Sequence, residues 1–503
     1  MHRTLGALTA TVLLAVFGAA ADADALPPTP LEAAANRRVS TSEEMSAYID
    51  TLVARAPALA RKEVLGRSVQ GRPIEALVLA APARKVGTPR LKVLLVGSQH
   101  GGAEPASGEA MLAIARDLIA GDLRPLLDDL DLILIPNANP DGRDLKRRAN
   151  ANRVNINTDF VLLSQPESQA LVEALARYAP DAVLDAHESA VLKRQTLARE
   201  GYLTDFDAQF EIANNPAQAA GLQAYAQRDV LPALIGRVSA AGLPANHYIG
   251  EIVSTGQSIT NGGLTLRNFR NTAGLAGALS VLVETRLDPH HDHFASYRNI
   301  AVRVQRQRLC IRSFLAEVQA HRAAILAHTS AARAAMQPRT LTLFAGYAAN
   351  PDHPTATLPL RRLDTRALEP VRFADHRRVV LADTIPYPAA LVVTDHADLL
   401  RELLDRHGIH YRTLTQSTRL AVLATRFAAR PNLTDRLAPV QETPGTLAIG
   451  PGGLVIDLAQ PAGREALLLL DPRSTSSVFR YPQYAALVTP GAEFFVYQAG
   501  GAP

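Results

Sequence analysis

Short β-branched or leucine-rich runs alternate with longer helical stretches up to about Ser330, and this alternation limits the chain to an α/β layered fold. Strands are expected at 74–80, 91–97, 130–136, 182–186 and 278–284. Helices are expected at 108–120, 166–178 and 217–241, with a long one over 293–328 closing the region. From Arg339 onward the pattern changes. Pro and Gly punctuate short runs at 378–381, 390–394, 454–458 and 466–470, with one helix expected at 395–407. The chain therefore divides into a leader at 1–25, a first domain at 26–335 and a smaller, mostly β C-terminal domain at 339–503.

The leader is an expected export signal. Arg3 gives the positive end, 5–21 is almost wholly apolar, and Ala23-Asp24-Ala25 offers small residues for cleavage before Leu26. The apolar stretch is shorter than the ~20 residues a spanning helix needs, and Asp22 and Asp24 follow at once. No later segment reads as a membrane span, so the mature protein is expected to be periplasmic or secreted. Only five Lys accompany the Arg-based net charge of +4, an excess too thin to imply a nucleic-acid partner. Aromatic content is 5% with no Trp, which leaves little material for base-stacking platforms. A single cysteine, Cys310, excludes an intramolecular disulfide and any Cys-rich metal cage. It is expected to be a small buried hydrophobe.

Gln99-His100-Gly101-Gly102-Ala103-Glu104 follows directly on the strand at 91–97, where loops of open α/β sheets carry sites. An imidazole and a carboxylate a few residues apart can grip one zinc ion if the two glycines let the backbone bend. On its own the segment reads more readily as a hydrogen-bonded loop. A second His, His187, ends the apolar run at 182–186, and Asp185 projects from the same side of that strand to accept its other ring N–H. Glu284 ends the near-continuous apolar strand at 278–284; it could pair with Arg286 or act as a general base beside a metal. Between the two His lie Asn139-Pro140-Asp141-Gly142, then Arg147-Arg148, then the stretch from Asn152 to Phe160. Its Asn side chains suit a peptide backbone, and its Arg side chains suit an anion.

Taken in order, these segments resemble the zinc metallocarboxypeptidase family, over roughly Ala58 to Arg286. The segment from Gly66 to Ile74 resembles that family's entry strand-turn, HGGAEPASGEAML its first metal motif, NPDG the following loop, VNINTDF its Asn-Arg region, LDAHES its second His motif and VLVETR its catalytic-Glu strand. The resemblance implies an α/β/α sandwich around a mixed, mostly parallel twisted sheet. It also implies one Zn2+ held by His100, Glu104 and His187, with Glu284 as base. Arg148, or failing that Arg147, would polarise the scissile carbonyl. Asn157, Arg153 and Tyr248 are the expected substrate-binding residues, with Tyr202 as the other candidate for the family's mobile Tyr.

Two departures shape the expected function. Three residues instead of the usual two separate His100 from Glu104. The family's carboxylate-gripping Asn-Arg pair reads Asn157-Thr158, so the cation must come from Arg153 or from Arg267, Arg270 or Arg286. The expected activity is that of an exported zinc-dependent metallopeptidase, a metallocarboxypeptidase acting on peptides. The same site would also suit an amidase or endopeptidase on cell-wall peptides, and a non-catalytic zinc- or peptide-binding protein is the remaining reading. His290-His291-Asp292-His293 is expected to form a polar helix-capping turn. In the C-terminal domain, His353, His376, His396, His407 and His410 lack ligand spacing.

Overall fold

The computed structural model describes residues 26–82, 89–191, 197–287, 299–335 and 337–500. The expected leader and the His290–His293 cluster lie outside the described residues.

Among the described residues, ten strands precede residue 335: β1 (Ala60–Arg67), β2 (Pro73–Leu79), β3 (Leu91–Gly97), β4 (Leu130–Ile135), β5 (Ala182–Ser189), β6 (Tyr202–Thr204), β7 (Ala208–Ile212), β8 (Ala245–His247), β9 (Ser258–Ile259) and β10 (Leu279–Arg286). Eight of them form one sheet in the order β1-β2-β4-β3-β5-β10-β7-β8. The central run β4-β3-β5-β10 is parallel, whereas β1-β2, β2-β4 and β10-β7 are antiparallel, so the sheet is mixed. Both faces are covered, which is why β3 and β5 read as apolar runs instead of alternating ones. Leu77, Val93 and Leu95 face a core built with the helices Ser42–Arg55, Ala106–Ala120 and Ile300–Ala320. Ala76, Val78, Leu94 and Val96 face the helices Pro166–Tyr178 and Phe269–Leu275. These three layers make the α/β/α sandwich.

The parallel centre decides where chemistry can gather. β3, β5 and β10 are neighbours running the same way, with Gly97 opposite Ala186 and Glu284 opposite His187. Their carboxyl ends therefore open on one edge of the sheet.

Two expected helices differ. The stretch 217–241 begins at Ala220 and passes through a π turn at Ala226–Val230 before Leu231–Ala240. Pro232 in that first turn has no N–H to continue the regular ladder. The expected helix over 293–328 is two helices, Ile300–Ala320 and Arg322–Ala334, broken at His321. Cys310 is buried in the first of them, as expected of a small hydrophobe.

The C-terminal region carries β11 (Thr340–Ala348), β12 (Thr355–Arg362), β13 (Leu368–Asp375), β14 (Arg378–Pro386), β15 (Ala390–Val393), β16 (Arg412–Thr413), β17 (Thr418–Phe427), β18 (Pro439–Ile449), β19 (Leu454–Asp457) and β20 (Val496–Ala499). Six of these make the sheet β16-β19-β15-β20-β17-β18, and β11 pairs with β14. The run at 466–470 is not an extended segment; it lies in the helix Gly463–Leu470, whose Ala and Leu are good helix formers and which holds no β-branched residue to favour a strand. The sheet β6-β12-β13-β9 draws strands from both sides of residue 335. Val161 and Leu266 from the loops near the first sheet's edge are buried in the same core as Leu343, Leu403 and Leu467. His407 reinforces that contact from its C-terminal position, with Nε2 3.1 Å from Val161 O.

Candidate metal centre and cleft

Three side chains meet at the open edge of the sheet. His100 follows β3, Glu104 follows it by one turn, and His187 sits near the end of β5; all three are buried. Their ligand atoms lie within 4.8 Å of one another. His100 Nδ1 is 2.7 Å from Glu104 Oε2, His187 Nδ1 is 3.0 Å from the same oxygen, and the two Nδ1 atoms are 3.1 Å apart.

The extra residue between His100 and Glu104 is taken up in a single 3₁₀ turn, Gly101–Ala103. Gly101 is left-handed at φ +49, and a Cβ there would sit 2.4 Å from Gly142 C; a Cβ on Gly102 would sit 2.6 Å from Lys146 Cα. The turn is thus pressed against the NPDG loop, which only glycine permits. That loop is fixed in turn. Asn139 Oδ1 accepts Gly142 N at 2.9 Å, and its amide donates to Gln99 O at 3.1 Å. Asp141 accepts Ser68 Oγ at 2.8 Å and Gln70 N at 2.9 Å, tying the entry turn to the site.

The outer ring nitrogens have acceptors. His187 Nε2 faces Asp185 Oδ1 at 2.9 Å and His100 Nε2 faces Asn155 Oδ1 at 3.1 Å. With those N–H groups donated outward, both Nδ1 lone pairs turn inward beside Glu104, the donor set zinc takes. The residues present therefore fit a zinc ion. Gln99 Nε2 also donates to Asp185 Oδ1, and Asn157 Nδ2 lies 3.2 Å from His187 Nε2. Neither Asn155 nor Gln99 stands out in the sequence as an orienting residue; the alternation of Asn in Asn155-Ile156-Asn157 is the signal that puts two amides on one side of the turn.

Electrostatics separate the roles. Burial opposes ionisation of Glu104, yet the two imidazoles and Arg148 hold its carboxyl well below the usual carboxylate range. Burial pushes His100 down. For His187 burial acts the same way but loses to Asp185 and Glu104, which hold the ring well above the ordinary histidine value. Glu284 goes the other way. Burial of its carboxyl, then repulsion from Glu104, raises it to about 8. The residue is partly exposed to the cleft, while its Oε2 is shut away from solvent with no hydrogen-bond partner.

A cleft of about 520 Å³ opens over these groups, with Glu104, Arg148, Gln209, Tyr248, Glu251 and Glu284 on its wall. Arg148 is half exposed and hydrogen-bonds Glu104 Oε1. Tyr248 is half-buried, and its hydroxyl is pushed up by burial and by the Glu284 charge. Tyr202 belongs elsewhere: its hydroxyl donates to Glu369 at 2.8 Å. Arg153 sits exposed on a left-handed turn at φ +63, away from the cleft wall, and Thr158 donates its hydroxyl to Asn155 O at 2.8 Å. Glu284 and Arg286 share a strand, but Arg286 Nη1 donates to Thr204 O at 2.9 Å.

Residues 45–172, which hold the first two ligands, Arg148 and the Asn region, match the family profile described as zinc carboxypeptidase. This part of the chain is similar to the zinc carboxypeptidase family. Carboxypeptidase 2 of Trichophyton rubrum is 28% identical over 251 residues, covering 48% of this chain and 46% of that protein. Mouse carboxypeptidase D is 29% identical over 153 residues, 27% of this chain and 11% of the relative. The chain thus spans less than half the length of these curated relatives. A metallo-carboxypeptidase structure from Burkholderia cenocepacia aligns over 57% of this chain and 70% of its own, with a TM-score of 0.44 and 20% identity.

Proposed function

We propose that the protein is an exported zinc-dependent metallopeptidase that hydrolyses peptide bonds as a metallocarboxypeptidase. One observation carries the reading: two imidazole Nδ1 atoms and Glu104 Oε2 lie within 3.1 Å of one another beside Glu284 and an open cleft. The apolar leader at 5–21 supports action outside the cytoplasm, and no described helix is long and apolar enough to cross a membrane.

His100, Glu104 and His187 would hold the ion, and Asp185 and Asn155 would keep the rings turned to it. Bound there, zinc supplies Lewis-acid activation of a water molecule and of the substrate carbonyl. Glu284 takes the proton from the attacking water and hands it to the departing amine. Burial is the larger cause that raises Glu284 and repulsion from Glu104 the second, so a cation held by Glu104 would remove the second and bring the base closer to its working range. Arg148 is the cation available to the carbonyl oxygen. Asn157, beside His187, offers its amide to the substrate backbone, and Tyr248 closes the opposite wall.

A non-catalytic zinc-binding protein has no use for a buried carboxyl with an unpartnered oxygen on the cleft wall, so the enzyme reading is preferred. The neutral Thr158 favours a second reading on the same site, cleavage within cell-wall peptides. Zinc-loaded protein assayed on N-blocked dipeptides and on muropeptides decides between them. Release of the C-terminal residue from the dipeptide is the expected result; cleavage of muropeptides alone selects the second reading, and cleavage of neither contradicts both.

A further inference from the structure

Arg270 is a buried cation whose partners are neutral. It lies in the helix Phe269–Leu275, and its Nη2 donates to Asn214 Oδ1 at 3.0 Å and to Gly263 O at 3.1 Å. Its Nε is buried without a partner. Glu211 is the carboxylate whose charge reaches the same tyrosines, Tyr248 and Tyr347. Its oxygens, however, serve His247 Nε2 at 3.0 Å and Gly262 N at 3.2 Å. A guanidinium taken out of water without a carboxylate is costly to hold, so its retention calls for a partner that arrives from outside.

The surroundings are shaped for the group. A Cβ on Gly262 would lie 2.9 Å from both Nη atoms, so the missing side chain is what admits the guanidinium. Gly262 O is held by Asn214 Nδ2 and by Tyr347 Oη, each at 2.7 Å, so the C-terminal region helps build this wall. Two links join Arg270 to the cleft. Asn157, which touches His187, accepts Phe269 N at 3.0 Å and so docks the start of the Arg270 helix on the metal centre. Tyr248, on the cleft wall with Glu284, lies within reach of the Arg270 charge.

Other arginines near the site are placed differently. Arg153 is exposed, Arg267, whose Nε is likewise without a hydrogen-bond partner, lies by Tyr481, and Arg286 bonds Thr204 O. Resting on the peptidase reading, we propose that Arg270 receives a carboxylate of the bound peptide, supplying at the Tyr248 wall the cation that Thr158 lacks. Substrates are then acids at the residue released, through either the terminal or the side-chain carboxylate.

Calorimetric binding to the full-length, zinc-loaded Glu284→Gln protein tests this without turnover. Three ligands are compared: benzoyl-Gly-Phe, its C-terminal amide, and the amide of benzoyl-Gly-Glu. At least one acid should bind about tenfold or more tighter than the neutral amide, and which one does so identifies the carboxylate. Adding Arg270→Met should abolish the preference, Arg270→Lys should keep part of it, and Thr158→Arg should restore preference for the terminal acid in the Met protein. Should Arg270→Met not fold, Arg270→Gln carries the same comparison. Equal affinity for the three ligands, no binding of any, or a preference that survives in a folded, zinc-loaded neutral variant overturns the proposal. Failure of the Glu284 enzyme to cleave peptides overturns the peptidase reading instead, and leaves this binding result standing by itself.

Discussion

Asp185 Oδ1 lies 2.9 Å from His187 Nε2, two residues away on the same side of β5. A carboxylate behind an imidazole fixes which nitrogen carries the proton and turns the other toward the metal. Asp185 is itself buried and is gripped by Gln99, so the support extends back to the residue that precedes His100.

Replacing Asp185 with Ala should therefore lower zinc affinity about 10–100-fold without unfolding the protein. Competition with a chromogenic chelator measures it. Wild-type affinity in the variant would show that His187 needs no support from the strand.

Glu284→Gln should bind zinc like the parent and lose hydrolysis by about 10² or more. Metal content and peptide turnover on one preparation give both numbers. A zinc-replete variant with full activity would remove Glu284 from the chemistry.

The metal-free protein should show a stability signature of Glu284. Its carboxyl is raised from 4.5 to about 8 on folding, chiefly by burial. Between those two values the folded state holds a proton that the unfolded chain has released, so this group lowers stability as pH rises through the window. Glu284→Gln lacks that penalty. Thermal melts of chelator-treated proteins should show the variant gaining on the wild type from pH 5 to pH 9; a constant gap, or one that closes, contradicts the assignment.

Gln307 couples the two strands that carry the second imidazole and the base. Its amide donates to His187 O at 2.6 Å and to Thr285 Oγ1 at 2.8 Å, from a fully buried position on the helix Ile300–Ala320. Gln307→Leu leaves both acceptors unsatisfied and should cost about 1–3 kcal/mol in urea unfolding. An unchanged midpoint would mean the helix does not brace the site.

Much of the site was legible because its chemistry falls at strand ends. His100, His187 and Glu284 each close an apolar run, and neighbouring parallel strands must deliver such ends to one edge. The extra residue before Glu104 was legible too, since paired glycines announce a turn that other residues could not make. What the sequence hides is contact between distant segments. Nothing around Gln307 marks that residue, because its partners His187 and Thr285 lie far away in the chain and follow no local period, and nothing in the sequence singles Arg270 out from the other candidate cations. β6 and β9 are three and two residues long, too short to leave a pattern, so the sheet they form with β12 and β13 was invisible. The helix Gly463–Leu470 does not announce itself in the sequence, because a leucine run buried on several sides has neither a strand's nor a helix's periodicity.

Metal analysis of purified wild-type and His187→Ala proteins, after dialysis against zinc and then against buffer, tests the central claim most directly. The geometry predicts one zinc per wild-type chain and none retained by the variant. One zinc held by folded His187→Ala, or none held by the wild type, would contradict it.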